Sequence, residues 1–597
     1  MSESISNERL SKRNLWGYSM GGIGRDMAYQ LVNTYLLTFI TFTKGLSNTE
    51  FAMVGVIMVI CRIFDGCNDP FMGSVIEITR TKIGKFKPWI LAGVFTNVAV
   101  IIALFCVPLR GTSYLIFFAF GYLLWGMTYT MNDISYWGMM PSLSSNPNDR
   151  NNLATLANIG AGVGAGLSVL AIPSLTQGNL AIAPNASKSY AIVSIIVCIL
   201  FFACQIMTVL VVKEKPLPKV RVDDGEKRSL KEMFRVIFKN DQLKPVMAAM
   251  LLYSIGSGIT MALASYWIYY RFAYQGLLVT LFTVISGIST VVIVFFPILC
   301  KKHSRRWISK LSMIMIIVGY LLMFIISLAT GADPKADKVG FKVGEVFIPV
   351  TFIFTGLSGA CAFFGQTLFY QVLTISVANT VEYNEYTTGT RDEGVIFACR
   401  PFTTKLGSAA VVGITTLVVL ALGLNPTNKA ISNADYEAGQ LAVQVEQLVK
   451  DETPNFDSLS KEEQTKLIEA KKKSIETENV AKIENIIHTN EDTKVAKWQY
   501  QTMFAFMTLL PLVILLGSFA IYFKKYNISE ERYDEICAEI AKRKFAAEGN
   551  AEVVLDGADV NELENDLASS DAETPDEIFE QEAAADKISE APDEGEK

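Results

Sequence analysis

The residues of this chain that could do chemistry are charges set inside apolar segments. The run from Phe51 to Ile78 is long enough to cross a bilayer at ~1.5 Å per residue. Yet it carries Arg62, Asp65, Asn68 and Asp69. Asp65 and Asp69 are four apart, so a helix puts them on one face, with Arg62 one turn before Asp65. A carboxylate at mid-membrane costs roughly 2.5–3.5 kcal/mol on insertion scales. Such charge is kept only where it faces protein, water or an ion, so the stretch reads as an ion or substrate path. Hard cations take oxygen ligands. Two carboxylates one turn apart can also share a proton, because like charges raise one pKa. Asp65 and Asp69 are therefore candidate cation ligands, and metal ligands only if the ion is Na+ rather than H+. The plainer alternative is a structural Arg62–Asp65 pair, with Asp69 solvated at a helix end.

Three other apolar segments carry comparable groups. Asp26, Gln30 and Asn33 fall at i, i+4 and i+7, one polar stripe with Arg25 beside it. The alternative there is that Asp26 only caps a helix or pairs with Arg25. Between Trp125 and Gly138, Thr130, Asp133 and Trp137 share a face. A carboxylate accepts hydrogen bonds from sugar hydroxyls, and an indole offers an apolar face to a pyranose ring. Interfacial anchoring is the other reading of Trp137. Lys405 is a lone ammonium in an apolar run that follows Arg400 and Pro401. It is the opposite charge that Asp65 and Asp69 need across a cavity, unless it snorkels to the membrane face. No phosphate loop, nucleophile triad or metal motif accompanies these groups. His303 and His488 are the only histidines, which excludes a histidine metal site or proton relay. The expectation is a protein that is not an enzyme, has no cofactor beyond a coupling cation, and binds no nucleic acid.

The elements that must position these groups are membrane helices. Of the 597 residues 51% are hydrophobic and 19% charged, below the ~25% charge of an ordinary soluble chain. The net charge of −6 hides an asymmetry. The 47 residues from Ala551 carry 17 acids and 2 bases, leaving +9 for the remainder. The nine cysteines are scattered without a CxxC spacing and read as packing residues. Twelve spans are expected: Gly17–Phe42, Glu50–Ile78, Pro88–Val107, Ser113–Met140, Leu153–Leu175, Ser189–Val212, Lys244–Tyr270, Leu277–Leu299, Trp307–Ala329, Val346–Val377, Val395–Leu422 and Tyr500–Phe523.

Links after the even-numbered spans are basic: TRTKIGKFK at Thr79–Lys87, KKHSRRW at Lys301–Trp307, and the middle link, with ten bases against six acids. Positive links face the cytoplasm, which puts both termini there. The fold class expected is an all-α membrane protein of twelve helices in two six-helix pseudo-repeats, the major facilitator architecture. Its parts are an N-terminal bundle over 1–212, a cytoplasmic link over 213–244, and helices seven to eleven over 245–424. An extracellular polar helical insert occupies 425–499, the twelfth helix 500–523, and a cytoplasmic, acidic, largely disordered tail 524–597. The insert reads as a solvated helical hairpin or as a lid; it or the tail could dock an unknown partner.

Five motifs in order resemble the glycoside–pentoside–hexuronide:cation symporters, the melibiose permease group. They are GGIGRD at Gly21–Asp26, RIFDGCNDPFMG at Arg62–Gly73, RTKIGKFKPWIL at Arg80–Leu91, WGMTYTMND at Trp125–Asp133 and NTVEYNEYTTGTR at Asn379–Arg391. The resemblance implies cation-coupled uptake of a sugar or glycoside across the plasma membrane by alternating access. It implies sugar hydroxyls on Asp26 and Asp133, Arg25 beside them and Trp137 stacked on the ring. It implies the cation on Asp65, Asp69 and Thr130, with Asn68 tuning selectivity and Lys405 facing both sites. Two positions depart from the galactoside carriers: Asn158 stands where they have a sugar-binding arginine, and Arg400 where they have glutamine. Arg62 either gates the site or neutralises Asp65. A lipid or drug transporter of the same fold, and a sugar-binding receptor, are the rival readings.

Overall fold

Local sequence sets where the helices begin and end. The structure is a computed structural model that describes residues 10–144, 147–214, 239–272, 274–289, 292–330, 339–343, 346–390 and 392–552. Helix α1 (Lys12–Gln30) runs through a π turn at Leu31–Tyr35 into α2 (Leu36–Thr43). Then follow α3 (Asn48–Ile78), α4 (Lys87–Cys106), α5 (Gly111–Met139), α6 (Pro147–Thr176) and α7 (Ala186–Val211). The second half comprises α8 (Leu243–Arg271), α9 (Gly276–Ile288), α10 (Val292–Lys302) and α11 (Arg305–Thr330). A hairpin of β1 (Gly340–Val343) and β2 (Val346–Pro349) leads into α12 (Val350–Thr388) and α13 (Glu393–Ala421). The insert holds α14 (Asn425–Val443), α15 (Val445–Glu452) and α16 (Lys461–His488). The chain continues through α17 (Lys497–Lys525) to α18 (Glu530–Glu552). A capping box of Ser47 with Glu50 starts α3, and Ser460 with Glu463 starts α16. Gly389, at φ +74°, ends α12, where a side chain would be strained.

The two halves pack by the same rule. In the first, α1 packs on α6 and α7, α4 on α5 and α7, and α3 on α5. In the second, α8 packs on α13 and α17, α11 on α12 and α17, and α9 on α12. These are the same five pairings moved six spans along the chain. The halves meet through α3 against α13 and α6 against α9, again a symmetric pair. Small residues allow the close contacts. A Cβ on Gly160 or Gly164 of α6 would collide with the backbone carbonyl oxygens of Ser19 and Ile23 on α1. Reciprocal bonds tie α1 to α5: the Tyr18 hydroxyl donates to the Tyr136 carbonyl at 2.9 Å, and the Tyr136 hydroxyl to the Tyr18 carbonyl at 2.6 Å.

Nine helices among the described residues are long and apolar enough to cross a membrane. The other three expected spans are helical but fall short for physical reasons. The first is polar over Lys12–Gln30 and turns through the π segment. The second carries Arg62, Asp65 and Asp69 within its apolar run. The eighth is described as two pieces, α9 and α10, on either side of 290–291, which lie outside the described residues; Pro297 is inside the second piece. The tenth starts later than expected, because β-branched Val346 and its neighbours pair as a strand with Gly340–Val343. Within the stretch expected to form the tail, Glu530–Glu552 is helical. Most of the middle link (215–238) and the tail from 553 lie outside the described residues.

The insert has a small core of its own, in which Ala438, Val445, Val449, Phe456 and Ile475 are buried together. It also ties the halves at one end of the bundle. Buried Asp435 on α14 caps α7: it accepts from Ala186 N at 2.5 Å, Ser187 N at 3.1 Å and Ser187 Oγ at 2.8 Å. Arg110 donates to Ser432 and Asn433, and Asn425 to the Leu46 carbonyl. The insert thus sits with the links that follow spans one, three and five. At the even-numbered links, Glu214 accepts from the backbone N–H groups of Lys85 and Lys87, and Glu530 from Arg305.

Candidate functional site

The site is built from α1, α3, α5 and α13. Thr130 on α5 donates to Asp65 Oδ1 at 2.7 Å and reaches Asp69 Oδ1 at 3.3 Å. Across the interface, Lys405 Nζ on α13 lies 2.6 Å from Asp69 Oδ2 and 3.1 Å from Asp65 Oδ2. Two side chains paired by spacing, Thr130 from the family resemblance and Lys405 from its charge therefore meet at one point. Among the described residues, the Asn68 amide of the same turn makes no hydrogen bond to a protein group. Lys405 does not snorkel; it is the counter-charge of the pair. Such a cluster of carboxylate and hydroxyl oxygens can hold a small hard cation or a proton.

A second charged group stands beside it. Arg25, 2% exposed, donates through Nε and Nη2 to Asp26 Oδ2 at 3.0 and 2.5 Å. Its Nη1 forms an ion pair with Asp133 Oδ1 at 3.0 Å, without the alignment of a hydrogen bond. One guanidinium thus spaces the two carboxylates expected to hold sugar hydroxyls. Its carbon lies 4.6 Å from the Tyr136 ring centre and 4.9 Å from that of Trp137. The Trp137 indole, edge-on to Tyr136, is held under the cation. The Asp133 side chain is still 35% exposed, so its outer face remains open to a ligand.

The structure corrects three expectations. Arg62 does not pair with Asp65. It is 3% exposed and donates to the Tyr122 hydroxyl at 2.9 Å and to Ser408 at 3.4 Å. Lys405 has taken the carboxylate instead. Asn158 is exposed on α6, and its amide donates back to the Ala154 carbonyl at 2.8 Å, a bond within its own helix turn. It is not brought to Asp26 or Asp133. The stripe of Asp26, Gln30 and Asn33 is broken by the π turn, which rotates Asn33 into a separate cavity.

That cavity has a volume of about 460 Å3. Asn33, Thr34 and Thr38 line it from the first span, Arg62 from α3, Tyr253 and Ser257 from α8, Tyr370 from α12, and Thr404, Ser408 and Thr415 from α13. The Asn33 Oδ1 atom is buried without a partner. Tyr253 and Tyr370 stack with ring centres 5.4 Å apart. Arg400 joins them by donating twice to the Tyr370 hydroxyl, at 3.1 and 2.9 Å. Nothing in the apolar sequence around Tyr253 or Tyr370 marks either residue; only their meeting across the two helices does.

The family described as MFS/sugar transport protein matches residues 17–442. This chain belongs to that family. The match holds every site residue named above and stops within α14, so most of the insert and all of α17 lie beyond it. The raffinose carrier protein of Pediococcus pentosaceus is 26% identical over 437 residues, 71% of this chain and 64% of that one. The lactose permease of Lactobacillus delbrueckii subsp. bulgaricus is 28% identical over 422 residues, 68% and 63% of the two chains. The chain thus spans less than two thirds of the length of these two MFS/sugar transport relatives. The isoprimeverose transporter of Lactiplantibacillus pentosus is 26% identical over 417 residues, 68% and 80% of the two. Among solved structures, the nucleoside transporter NupG aligns over 86% of this chain at 13% identity, with a TM-score of 0.46.

Proposed function

We infer that this multi-pass membrane protein carries a sugar or glycoside across the cell membrane together with Na+ or H+, by alternating access. The observation that carries the reading is the Lys405 ammonium seated on Asp65 and Asp69 beside Thr130, with Asp133 of the Arg25–Asp26–Asp133 cluster one turn along α5 from Thr130. A cation arriving at Asp65 and Asp69 competes with the ammonium for the same oxygens. Displaced, Lys405 no longer holds α3 to α13, and the contact between the halves loosens. Arg25 fixes Asp26 and Asp133 as hydrogen-bond acceptors for hydroxyls, and Trp137 supplies a flat apolar face. Linkage then requires that cation and sugar each tighten the other's binding. A membrane potential adds ~2.3 kcal/mol per charge per 100 mV to accumulation.

The reading is supported by sugars named for three relatives, by the basic links after even-numbered spans, and by the hydroxyl side chains among the cavity's lining. The basic links support an orientation with both termini in the cytoplasm and the insert outside. Counterflow of labelled glycosides in proteoliposomes is the test. Exchange flux is expected for at least one glycoside. Binding without flux is the behaviour of a receptor and contradicts the reading.

A further inference from the structure

We propose that the insert is a latch on the outer end of the carrier: α14 must let go of the first half before the cavity opens on that side, a proposal that rests on the alternating-access reading above. The insert is rooted in the second half. Only residues 422–424 separate α13 from α14, and 489–496 separate α16 from α17. The Tyr270 hydroxyl of α8 donates to Asn428 of α14, and His488 at the end of α16 meets the Tyr500 hydroxyl of α17 at 3.0 Å. The buried core that α14, α15 and α16 share makes them one body. That body reaches into the first half. Asp435, 1% exposed, takes the first two N–H groups of α7 together with the Ser187 hydroxyl. Those donors have no partner within the helix, and a helix N-terminus favours negative charge. Asn479 of α16 donates to the Pro184 carbonyl just before α7 at 3.3 Å. Arg110, at the start of α5, donates to the Ser432 hydroxyl at 2.8 Å and lies over the Tyr436 ring at 4.5 Å.

At the same end of the bundle the two halves are shut against each other. The Thr41 and Tyr266 hydroxyls meet at 3.0 Å, Gln177 donates to the Tyr274 hydroxyl at 3.0 Å, and the Ser174 and Thr280 hydroxyls meet at 2.8 Å. Each bond joins one half to the other. They close the cavity on this side: Tyr266 lines it, and so does Thr38, one turn before Thr41 on α2. A body fixed to the second half cannot stay on α7 while the halves part here. Opening therefore breaks the bonds of the insert as well as those between the halves. Hydrogen bonds to an ionised carboxylate are the stronger kind. Asp435 thus weights the balance toward the state that is shut on this side, and weakening it shifts the population toward the open one.

The test uses the full-length chain in intact cells, with Thr38→Cys as reporter and a membrane-impermeant maleimide added outside. The same chain without Thr38→Cys gives the background. Asp435→Ala is expected to raise the labelling rate at Thr38→Cys about tenfold or more, the worth of hydrogen bonds to a charged group. Asp435→Asn, which keeps an acceptor, is expected to fall between. A rate unchanged by Asp435→Ala, the result for an insert that only supports the fold, overturns the proposal. The reverse test fastens the latch. A Cβ on Gly439 would lie 3.3 Å from Asn185 Cγ, so Gly439→Cys with Asn185→Cys is placed to form a disulfide between α14 and the start of α7. Once oxidised, this pair is expected to lose glycoside counterflow at least tenfold and to regain it on reduction. Full counterflow through the cross-linked protein overturns the latch and leaves sugar transport standing. A wild type without counterflow overturns the transport reading, and the labelling rates then decide whether the insert holds this end shut. Where one of the two variants does not reach the membrane, the other decides.

Discussion

The Lys405 ammonium lies 2.6 Å from Asp69 and 3.1 Å from Asp65, and so joins a helix of the second half to a helix of the first. All three side chains are less than a third exposed. Removing one partner strands the others. Lys405→Ala is expected to lower stability by roughly 1–3 kcal/mol, since unpaired carboxylates stay where water is scarce. Adding Asp69→Ala to Lys405→Ala should recover part of that loss. Thermal unfolding in detergent checks both, and a double variant less stable than wild type by the full sum of the two single costs contradicts the pairing.

Asp133 is the open side of the second cluster. Asp133→Asn keeps the shape but halves the charge that Arg25 faces and removes an acceptor for hydroxyls. Glycoside affinity is expected to fall about tenfold or more, the value of a hydrogen bond to a charged group. The protein should still fold, because Arg25 keeps Asp26. Unchanged affinity in a binding assay would move the sugar elsewhere, with the cavity at Asn33 and Tyr370 the next place to look.

Asp435 caps a helix of the opposite half. Asp435→Ala leaves the N–H groups of Ala186 and Ser187 without their acceptor. A loss of about 1.5–3 kcal/mol is expected, as for hydrogen bonds to a charged group, and Asp435→Asn should lose less. A melting temperature equal to that of the wild type in both variants would mean that the insert does not brace the bundle.

Lys44, just after α2, is 4% exposed and donates to the Val107 carbonyl at 3.2 Å. Burial, with Arg110 nearby, pushes its amine down to about 8 from 10.5. The folded protein therefore gives up this proton at a lower pH than the unfolded chain does. Between pH 8 and 10.5 the unfolded state binds more protons, so stability gains from this group as pH rises, and below pH 8 its full cost is present. Lys44→Met lacks this term. The stability of the methionine variant relative to wild type should therefore decline from pH 7 to pH 10. Parallel melting curves across that range would show that Lys44 is not held in a depressed state.

How far the sequence reaches is visible at particular residues. Helix periodicity brings Asp65 to Asp69 and Thr130 to Asp133, because 3.6 residues per turn is a local rule. Lys405 was matched to the carboxylates by charge alone, and the structure puts its nitrogen on them. Of the two readings of Arg62, the pair with Asp65 fails because a long side chain can reach partners off its own face, here Tyr122 on α5. The π turn at Leu31–Tyr35 has no sequence signature, so Asn33 was placed on the wrong stripe. The stacked Tyr253 and Tyr370, and Asp435 on Ala186, are meetings between distant segments that no local pattern encodes.

The most direct measurement is uphill uptake of a labelled glycoside into proteoliposomes under an imposed Na+ or H+ gradient, comparing wild type with Asp69→Asn. One of the two gradients is expected to drive the wild type above equilibrium. Asp69→Asn should only equilibrate the same sugar, at comparable amounts of inserted protein. Accumulation by Asp69→Asn at the wild-type level, or a wild type that neither gradient drives, contradicts a cation site at Asp65, Asp69 and Thr130.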